Sequence, residues 1–266
     1  MSANMELKYV YYVITLLLVL MIYLPIVALI MGAFYPGYYL KYPITSYTLR
    51  WFQEIFYFKG IIRGIWYSTL IATITMIGCV IFGVLGSITF TRYVGRFTPA
   101  YRVFVLVPFV FPQLVLGIAL LTTLRSMGIQ LGWWTAALAH IVWITPVAIF
   151  ICAIRMLALD PNYEEAARML GAGDLAVYRE VIIPWLLPAM VSAGLFAFII
   201  SWDNFVLSYF LAGINQTLPI SIQGRMQMGF TPAIPAICTL IIVVYAPILA
   251  IGFWVLIRAG IYKATF

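Results

Sequence analysis

Six long apolar runs follow one another along this 266-residue chain, and each can cross a hydrocarbon layer roughly 30 Å thick. Hydrophobic residues make up 65% of the chain and charged residues 9%, whereas soluble domains carry about a quarter charged residues. One water-soluble core of this size could not enclose so much apolar surface. The sequence therefore predicts an all-α integral membrane protein with six transmembrane helices in a single domain, residues 1–266. The predicted spans are residues 9–34, 64–90, 103–124, 133–157, 186–211 and 233–257.

The orientation of the chain is predicted from its first run and its basic residues. The first run exceeds the apolar core of a signal peptide, about 7–15 residues, and reaches Phe34 and Tyr35 without a small-residue cleavage site, so we interpret it as an uncleaved span. An even number of spans places both termini on one side of the membrane. If that side is the cytoplasm, most of the 15 basic residues lie inside, which favours cytoplasmic termini. The residues counted inside are Lys8, Arg92, Arg96, Arg102, Arg155, Arg168, Arg179, Arg258 and Lys263.

A short amphipathic segment lies between the first two spans. Residues 47–58 place Leu49, Phe52, Ile55 and Phe56 at helical spacing, with polar residues on the other faces. Such a helix is expected to lie in the plane of the membrane interface as a structural collar.

The sequence contains no motif for catalysis, metal binding or nucleotide binding. No G-x-x-x-x-G-K-[ST] phosphate loop is present. Cys79, Cys152 and Cys238 stand singly in apolar runs, and His140, the only histidine, is interpreted as a hydrogen-bonded residue between helices. No nucleic-acid-binding pattern accompanies the net charge of +7, since basic residues beside membrane spans serve topology and lipid headgroups. We therefore predict no catalytic residue, no metal site and no cofactor on this chain.

The predicted cytoplasmic loop, residues 158–185, begins with helix-start signals. Asp160 is a predicted N-cap, and Pro161 takes the favoured first helical position. Glu164 and Glu165 fall in the first turn, where the helix dipole favours negative charge, and Glu164 is expected to pair with Arg168 one turn later. This loop holds five of the eight carboxylates, namely Asp160, Glu164, Glu165, Asp174 and Glu180.

The second half of the loop predicts a turn and another helix. Gly171 supplies a left-handed stop, and Asp174 is expected to cap a helix over residues 175–183 that Pro184 ends. The first helix presents small and apolar side chains that a solvated connector would not need. These are Ala166, Ala167, Met169 and Leu170.

The loop resembles the EAA signature of ABC importer permeases. The signature reads EAA, three residues, G, nine residues and I-x-L-P, and here Glu165-Ala166-Ala167 is followed at the same spacing by Gly171 and by the final Pro184. Val181 and Ile183 are conservative departures from its Ile and Leu. The resemblance implies a type I ABC importer permease fold whose coupling helix docks into a cleft on an ATPase subunit. On this basis the ATPase-coupling residues are Glu164, Glu165, Ala166, Ala167, Gly171 and Pro184.

The resemblance also implies an assembly. The expected partners are a second permease forming a heterodimer, two ATP-binding subunits that carry the ATP and Mg²⁺, an extracytoplasmic substrate-binding protein, and the lipids of the cell membrane. Catalysis of ATP hydrolysis is then expected on the separate ATPase subunit and not on this transport subunit.

The C-terminal part is similar to the second permease of spermidine/putrescine importers. The similar segments are residues 128–134, 201–213 and 217–240, and the likeness covers most of the chain from about Val103 onward. That group has two acidic residues where this chain has Asp203-Asn204. The resemblance implies a polyamine or another small cationic solute, while sugars, inorganic anions, iron and thiamine, which the same permease class serves, stay open as alternatives.

Asp203 is the candidate for the substrate pathway. It lies near the centre of the fifth apolar run, where an ionised carboxylate is costly unless it is paired or wetted. One hypothesis places it, with Trp202, Asn204 and Tyr209, on the pathway of a cation, the aromatic rings supplying cation–π contact. The other makes it a structural partner of Arg225 or of the second permease.

Two other classes of protein are to be considered. A membrane enzyme would need convergent polar or metal-binding residues, which the sequence lacks. The second class is a stand-alone secondary transporter or channel. Such a transporter needs its own ion-coupling groups within the spans and often shows an inverted repeat. Asp203 is almost the only acid within the predicted spans, and no repeat is visible. The sequence therefore favours the ATP-driven importer.

Overall fold

The computed structural model describes residues 2–41, 43–92, 95 and 98–258, and this part of the chain contains helices and no strand. The first six helices are α1 (Ser2–Gly32), α2 (Arg50–Tyr57), α3 (Lys59–Arg92), α4 (Thr98–Val110), α5 (Gln113–Ser126) and α6 (Trp133–Leu157). The others are α7 (Asn162–Met169), α8 (Asp174–Val177), α9 (Ile183–Trp202), α10 (Val206–Leu211), α11 (Leu218–Gln227) and α12 (Ala233–Arg258), with a π-helical turn at Tyr178–Ile182. Arg96 and Lys263, counted above on the cytoplasmic side, lie outside the described residues.

The described residues contain four helices that are long and apolar enough to cross a membrane. They are Lys8–Gly32, Lys59–Arg92, Trp133–Leu157 and Asp174–Trp202. The pair α4 and α5 makes a fifth if it is one span, but the two helices meet at 95°. The apolar stretch Ala233–Pro247 belongs to α12, which is 26 residues long. The structure therefore agrees with an all-α membrane protein, while the predicted count of six spans stays a prediction.

One compact unit comprises residues 1–59 and 222–255. In it, α1 is one continuous helix through Pro25, and its spanning window has no buried residue. In α2, Trp51 and Ile55, one turn apart, are the buried residues, and the indole nitrogen of Trp51 donates a hydrogen bond to the carbonyl oxygen of Tyr35 at 2.6 Å. Of the predicted apolar face, Ile55 is buried while Leu49 and Phe56 are exposed, and the placement of this helix in the membrane interface stays a prediction. Trp51, one turn before Ile55, lies at the edge of the apolar face.

An arginine on α2 organises the polar side of this unit. The Arg50 Nε lies 2.6 Å from a Glu54 carboxylate oxygen, and an Nη donates to the Tyr38 hydroxyl at 3.1 Å. These hydrogen bonds, first to Glu54 and then to Tyr38, raise the pKa of Arg50 above its usual value. The helix thus has a charged outer face and a buried face defined by Trp51 and Ile55.

The second unit comprises the described residues of 60–221 together with 256–258, and its core lies among α3, α6 and α9. Small residues let these helices approach closely, as is common in membrane proteins. A Cβ added to Gly83 of α3 would lie 3.2 Å from backbone atoms of Ala148 in α6, and one added to Gly194 of α9 would lie 3.1 Å from Val80 of α3. Both candidate functional regions belong to this unit.

Candidate coupling loop and helix-break site

The loop that follows α6 begins with α7 and a left-handed glycine. The helix starts at Asn162, one residue later than predicted, so its N-cap is Pro161 and not Asp160. An Asp160 carboxylate oxygen still accepts a hydrogen bond from the backbone N–H of Asn162 at 3.0 Å. After α7, the backbone N–H of Ala172 donates to the carbonyl oxygen of Ala167, and Gly171 has φ +88°. The predicted left-handed stop at Gly171 is confirmed.

The second half of the loop differs from the prediction at Pro184. The helix that starts at Asp174 does not end there and continues to Trp202, with Pro184 in the first turn of α9. Proline lacks the N–H for an ordinary helical bond and its ring collides with the carbonyl four residues earlier. The π-helical turn directly before Pro184, closed by the Ile183 N–H on the Tyr178 carbonyl, widens the helix at this point. The proline is therefore accommodated and not a terminator.

The two ends of the loop are joined to each other. The indole nitrogen of Trp185 donates to the carbonyl oxygen of Arg155 at 2.9 Å, and the Arg155 Nε donates to the carbonyl oxygen of Trp185 at 3.3 Å. The guanidinium carbon of Arg155 also lies 4.2 Å from the centre of the Trp185 ring, within the range of a cation–π contact. These contacts hold the C-terminal end of α6 against the start of α9, at the two points where the loop joins the helix bundle.

Glu164 has a different partner from the one predicted. Its carboxylate lies 2.8 Å from the Nε of Arg92, the last residue of α3, whereas Arg168 pairs with Asp174 at 3.2 Å. The predicted Glu164–Arg168 pair is therefore wrong, because an arginine from a distant helix end reaches the carboxylate instead. Glu164 is buried and Glu165 beside it is exposed.

An apolar surface on the loop faces away from the core. Met169, Leu170 and Leu175 are 87%, 90% and 81% exposed, and Tyr163 and Ala166 are also exposed. We call Tyr163, Ala166, Met169, Leu170 and Leu175 the loop tip. Such apolar clusters on an otherwise folded loop are typical of protein-binding surfaces.

The fifth predicted span is broken at Asp203. Helix α9 ends at Trp202, Asp203 to Phe205 are not helical, and α10 resumes at Val206, so Asp203 lies at a helix end and not in the middle of a helix. Its side chain is exposed and, among the described residues of 60–221, forms no ion pair. Arg225, the alternative partner, lies in the other unit with its guanidinium carbon 3.5 Å from the centre of the Phe58 ring.

Asn204 points the other way and is buried. Its side-chain oxygen accepts a hydrogen bond from the Leu207 N–H in the first turn of α10, at 3.0 Å. Its side-chain nitrogen donates to the side-chain oxygen of Gln113 at 3.2 Å. Gln113 opens α5 directly after Pro112, where the bent pair α4 and α5 is broken. Asn204 thus connects two helix breaks, and its amide oxygen and nitrogen are both engaged within the chain.

A buried polar cluster holds the end of α9 against its neighbours. Ser201 lies 2.7 Å from His140 Nδ1 on α6 and donates to Thr75 on α3 at 3.2 Å, while Ser208 on α10 lies 3.3 Å from His140 Nε2. His140 has no exposed surface. The interpretation of His140 as a hydrogen-bonded interhelical residue is confirmed.

The two aromatic candidates differ in exposure. Trp202 is half-buried, and its indole nitrogen donates to the Thr69 hydroxyl of α3 at 3.3 Å. Tyr209 is 60% exposed, with its ring 5.4 Å from that of Phe205. The structure thus places Asp203 and Tyr209 on the accessible side of the break and Asn204 on the inner side. Trp202 joins the break to α3.

Sequence reasoning missed Arg92 and Gln113. In the sequence Arg92 is one of several cytoplasmic basic residues, and nothing in its neighbourhood indicates a partner 72 positions away. For Gln113 a local signal existed, since Phe111-Pro112 precedes it and the residue before a proline avoids the helical conformation. A polar residue directly after such a break is a candidate for contact with another break.

Comparison with known proteins identifies the family. Residues 79–258 match the family described as binding-protein-dependent transport system inner membrane component. The chain belongs to this family. It is a permease subunit of an ABC importer, and the EAA-like loop lies within the matched residues.

Curated relatives of this permease align over most of its length. It is 30% identical to the spermidine/putrescine transport system permease protein PotC of Haemophilus influenzae over 225 residues, which cover 84% of this chain and 86% of the relative. It is 28% identical to the putrescine transport system permease protein PotI of Escherichia coli K12, and the alignment covers 81% of this chain and 79% of the relative. It is also 29% identical to the molybdenum transport system permease protein ModB of Mycobacterium bovis, and the alignment covers 70% of this chain and 75% of the relative.

Solved structures show the same fold. A bacterial ABC transporter involved in the import of the acidic polysaccharide alginate matches with TM-score 0.73 at 16% identity, covering 98% of both chains. The inward-facing MetNI methionine ABC transporter matches with TM-score 0.63 at 19% identity, covering 75% of this permease and 95% of the other chain.

Proposed function

We propose that this permease forms half of the pathway of an importer for a polyamine or another small cation. In this proposal it pairs with a second permease, binds two ATPase subunits that supply ATP hydrolysis, and receives substrate from an extracytoplasmic binding protein. Both termini then lie in the cytoplasm, on the side of the loop tip.

The observation that carries the ATPase interaction is the exposed loop tip. Its members belong to an EAA-like segment, and three of them expose more than four-fifths of an apolar side chain. Burying one such side chain against a partner contributes about 1.5–3 kcal/mol, so a cleft that covered the loop tip would gain several kcal/mol. The carboxylate of Glu165, exposed in the first turn of α7, is left available for a basic residue of the ATPase.

The observation that favours a cation is the exposed carboxylate at the helix break. The names of the PotC and PotI relatives refer to polyamines, which are cations at neutral pH. The carboxylate of Asp203, which forms no ion pair among the described residues of its unit, suits an ammonium group through charge. The exposed ring of Tyr209, six residues later, suits one through cation–π attraction. An inorganic anion is the second candidate substrate, because the ModB relative belongs to a molybdenum transport system. An exposed carboxylate at Asp203 would repel such an anion.

Copurification tests the ATPase interaction. The permease is coexpressed with an ATPase, a second permease and a binding protein from the same source, and the complex is isolated in mild detergent. Leu170→Glu places a charge on the loop tip and should remove the ATPase subunits from the complex. Ile214→Glu, at a 93% exposed apolar residue of another loop, is the matched control and should retain them. Retention of the ATPase by Leu170→Glu would contradict the proposed docking surface.

Uptake tests the substrate. Proteoliposomes holding the complex and ATP should accumulate labelled spermidine or putrescine, and excess molybdate should not compete. Accumulation of molybdate with no polyamine uptake would overturn the cationic assignment and leave the importer assignment intact.

A further inference from the structure

Arg92 makes two contacts that fasten the coupling loop to α3. Its Nε lies 2.8 Å from a Glu164 carboxylate oxygen, and its Nη2 donates to the carbonyl oxygen of Leu159, also at 2.8 Å. Leu159 lies between α6 and α7, and Glu164 lies in the first turn of α7. One guanidinium therefore holds both the entry of the loop and its first helix.

Burial distinguishes this ion pair from the others described. The side chains of Arg92 and Glu164 are 19% and 9% exposed, whereas those of Arg168 and Asp174 are 45% and 79% exposed. Exposed ion pairs contribute little, but removing one partner of a buried pair leaves an uncompensated charge away from water. Separating Arg92 from Glu164 is therefore costly. The Glu164 side chain points toward α3 and not toward a docking partner.

Helix α3 also contacts the end of α9, directly before the helix break. Ser201 and Trp202 are the last two residues of α9. Thr75 of α3 accepts a hydrogen bond from Ser201, and Thr69 of α3 accepts one from Trp202. Between Thr75 and Arg92 the helix has no proline, and at 1.5 Å per residue this stretch measures about 25 Å. One continuous helical segment therefore joins the contacts of Arg92 to those at the end of α9.

We propose that Arg92 is a positioning residue that makes α7 move together with α3, so that a displacement of the coupling loop reaches the break at Asp203 through α3. This rests on the proposed function, because it concerns how ATPase movement opens the pathway. It assigns Glu164 to internal transmission and leaves docking to the loop tip and Glu165.

The first test removes the charge and keeps the shape. In the complex with ATPase and binding protein, Arg92→Gln and Glu164→Gln should retain the ATPase subunits and basal ATP hydrolysis. Spermidine uptake should fall about tenfold, within the range of typical coupling between sites. Arg50→Gln is the control, since it removes an exposed ion pair outside the loop and should leave uptake unchanged. Normal uptake by Glu164→Gln would overturn the proposal, and so would loss of the ATPase subunits, because Glu164 would then be a docking residue.

A second test joins the two elements covalently. Arg92→Cys and Glu164→Cys are combined in a chain whose Cys79, Cys152 and Cys238 are replaced by Ala, and a bis-maleimide connects the two thiols. If α7 and α3 move as one body, the cross-link should raise the reduced uptake of the double variant toward that of the cysteine-free chain. Uptake that is unchanged or abolished by the cross-link would overturn the proposal. Failure of the proposed function itself would differ, since the unmodified chain would then transport no polyamine.

Discussion

The side-chain nitrogen of Asn204 lies 3.2 Å from the side-chain oxygen of Gln113, and this hydrogen bond joins the break between α9 and α10 to the break between α4 and α5. Helices interrupted at membrane depth are tolerated where neighbouring groups satisfy the freed backbone. Here the amide oxygen of Asn204 meets the Leu207 N–H on its own chain segment. The two breaks are therefore one structural feature.

The first prediction follows from this hydrogen bond. Asn204→Leu removes both contacts of the amide and should lower the free energy of unfolding by about 1–3 kcal/mol, while Gln113→Leu removes one contact and should cost less. The double variant should cost less than the sum of the two single variants, because the shared bond is lost only once. Thermal unfolding of the purified complex measures all three. Gln216→Leu, in an exposed loop, should change nothing, and strictly additive effects would show that the two breaks are independent.

The second prediction concerns the buried polar cluster at His140. His140→Phe fills a similar space but leaves the hydroxyl of Ser208 without its ring nitrogen partner, which should cost about 1–3 kcal/mol. His140→Gln keeps a donor and an acceptor and should recover part of the loss. The melting temperature of the complex is the measurement. Equal stability of the phenylalanine and glutamine variants would show that the hydrogen bonds contribute nothing beyond packing.

Features that depend on local chemistry could be predicted from the sequence. The apolar runs predict an all-α membrane protein, and the long helix α6 has the predicted bounds 133–157. The left-handed turn at Gly171 followed from the position of a glycine after a helix pattern. Such signals lie within a few residues of the structure that they determine.

Features that depend on which helices meet could not be predicted. Whether Glu164 pairs with Arg168 one turn away or with Arg92 depends on where the end of α3 lies, and no local spacing contains that information. Pro184 and Pro112 show the same limit. Both have the sequence signal of a break, yet a π-helical turn accommodates one, while at the other the chain bends by 95°.

The third prediction separates two glycines of the coupling loop. Gly171 has φ +88° and Gly173 has φ −70°, and a Cβ added at either position meets nothing within 4 Å. Only backbone conformation distinguishes them, so Gly171→Val should cost about 1–2 kcal/mol locally and displace α7, whereas Gly173→Val should be tolerated. ATP hydrolysis stimulated by the loaded binding protein measures coupling. Normal stimulation in Gly171→Val would show that α7 keeps its place without the left-handed turn.

The fourth prediction concerns Asp203, the exposed acid at the helix break. Asp203→Asn keeps the shape and removes the charge. A hydrogen bond to a charged group contributes about 1.5–3 kcal/mol, so loss of the carboxylate should lower spermidine uptake about tenfold or more if the cation passes this residue. Assembly and basal ATP hydrolysis should survive, because the side chain forms no ion pair within the described residues of its unit. Tyr209→Leu should produce a smaller loss, since cation–π contacts at exposed sites contribute about 0.5–1 kcal/mol.

The control for Asp203 is Glu54→Gln, which makes the same change of net charge on α2 and should leave uptake unaltered. Two outcomes would contradict the pathway role and have different meanings. Undiminished uptake by an assembled Asp203→Asn complex would remove the carboxylate from the route of the cation. Loss of the second permease from the complex would instead make Asp203 a structural partner at that interface. In either case the residue-level reason for a cationic substrate would disappear, and the likeness to the PotC and PotI permeases would be its remaining support.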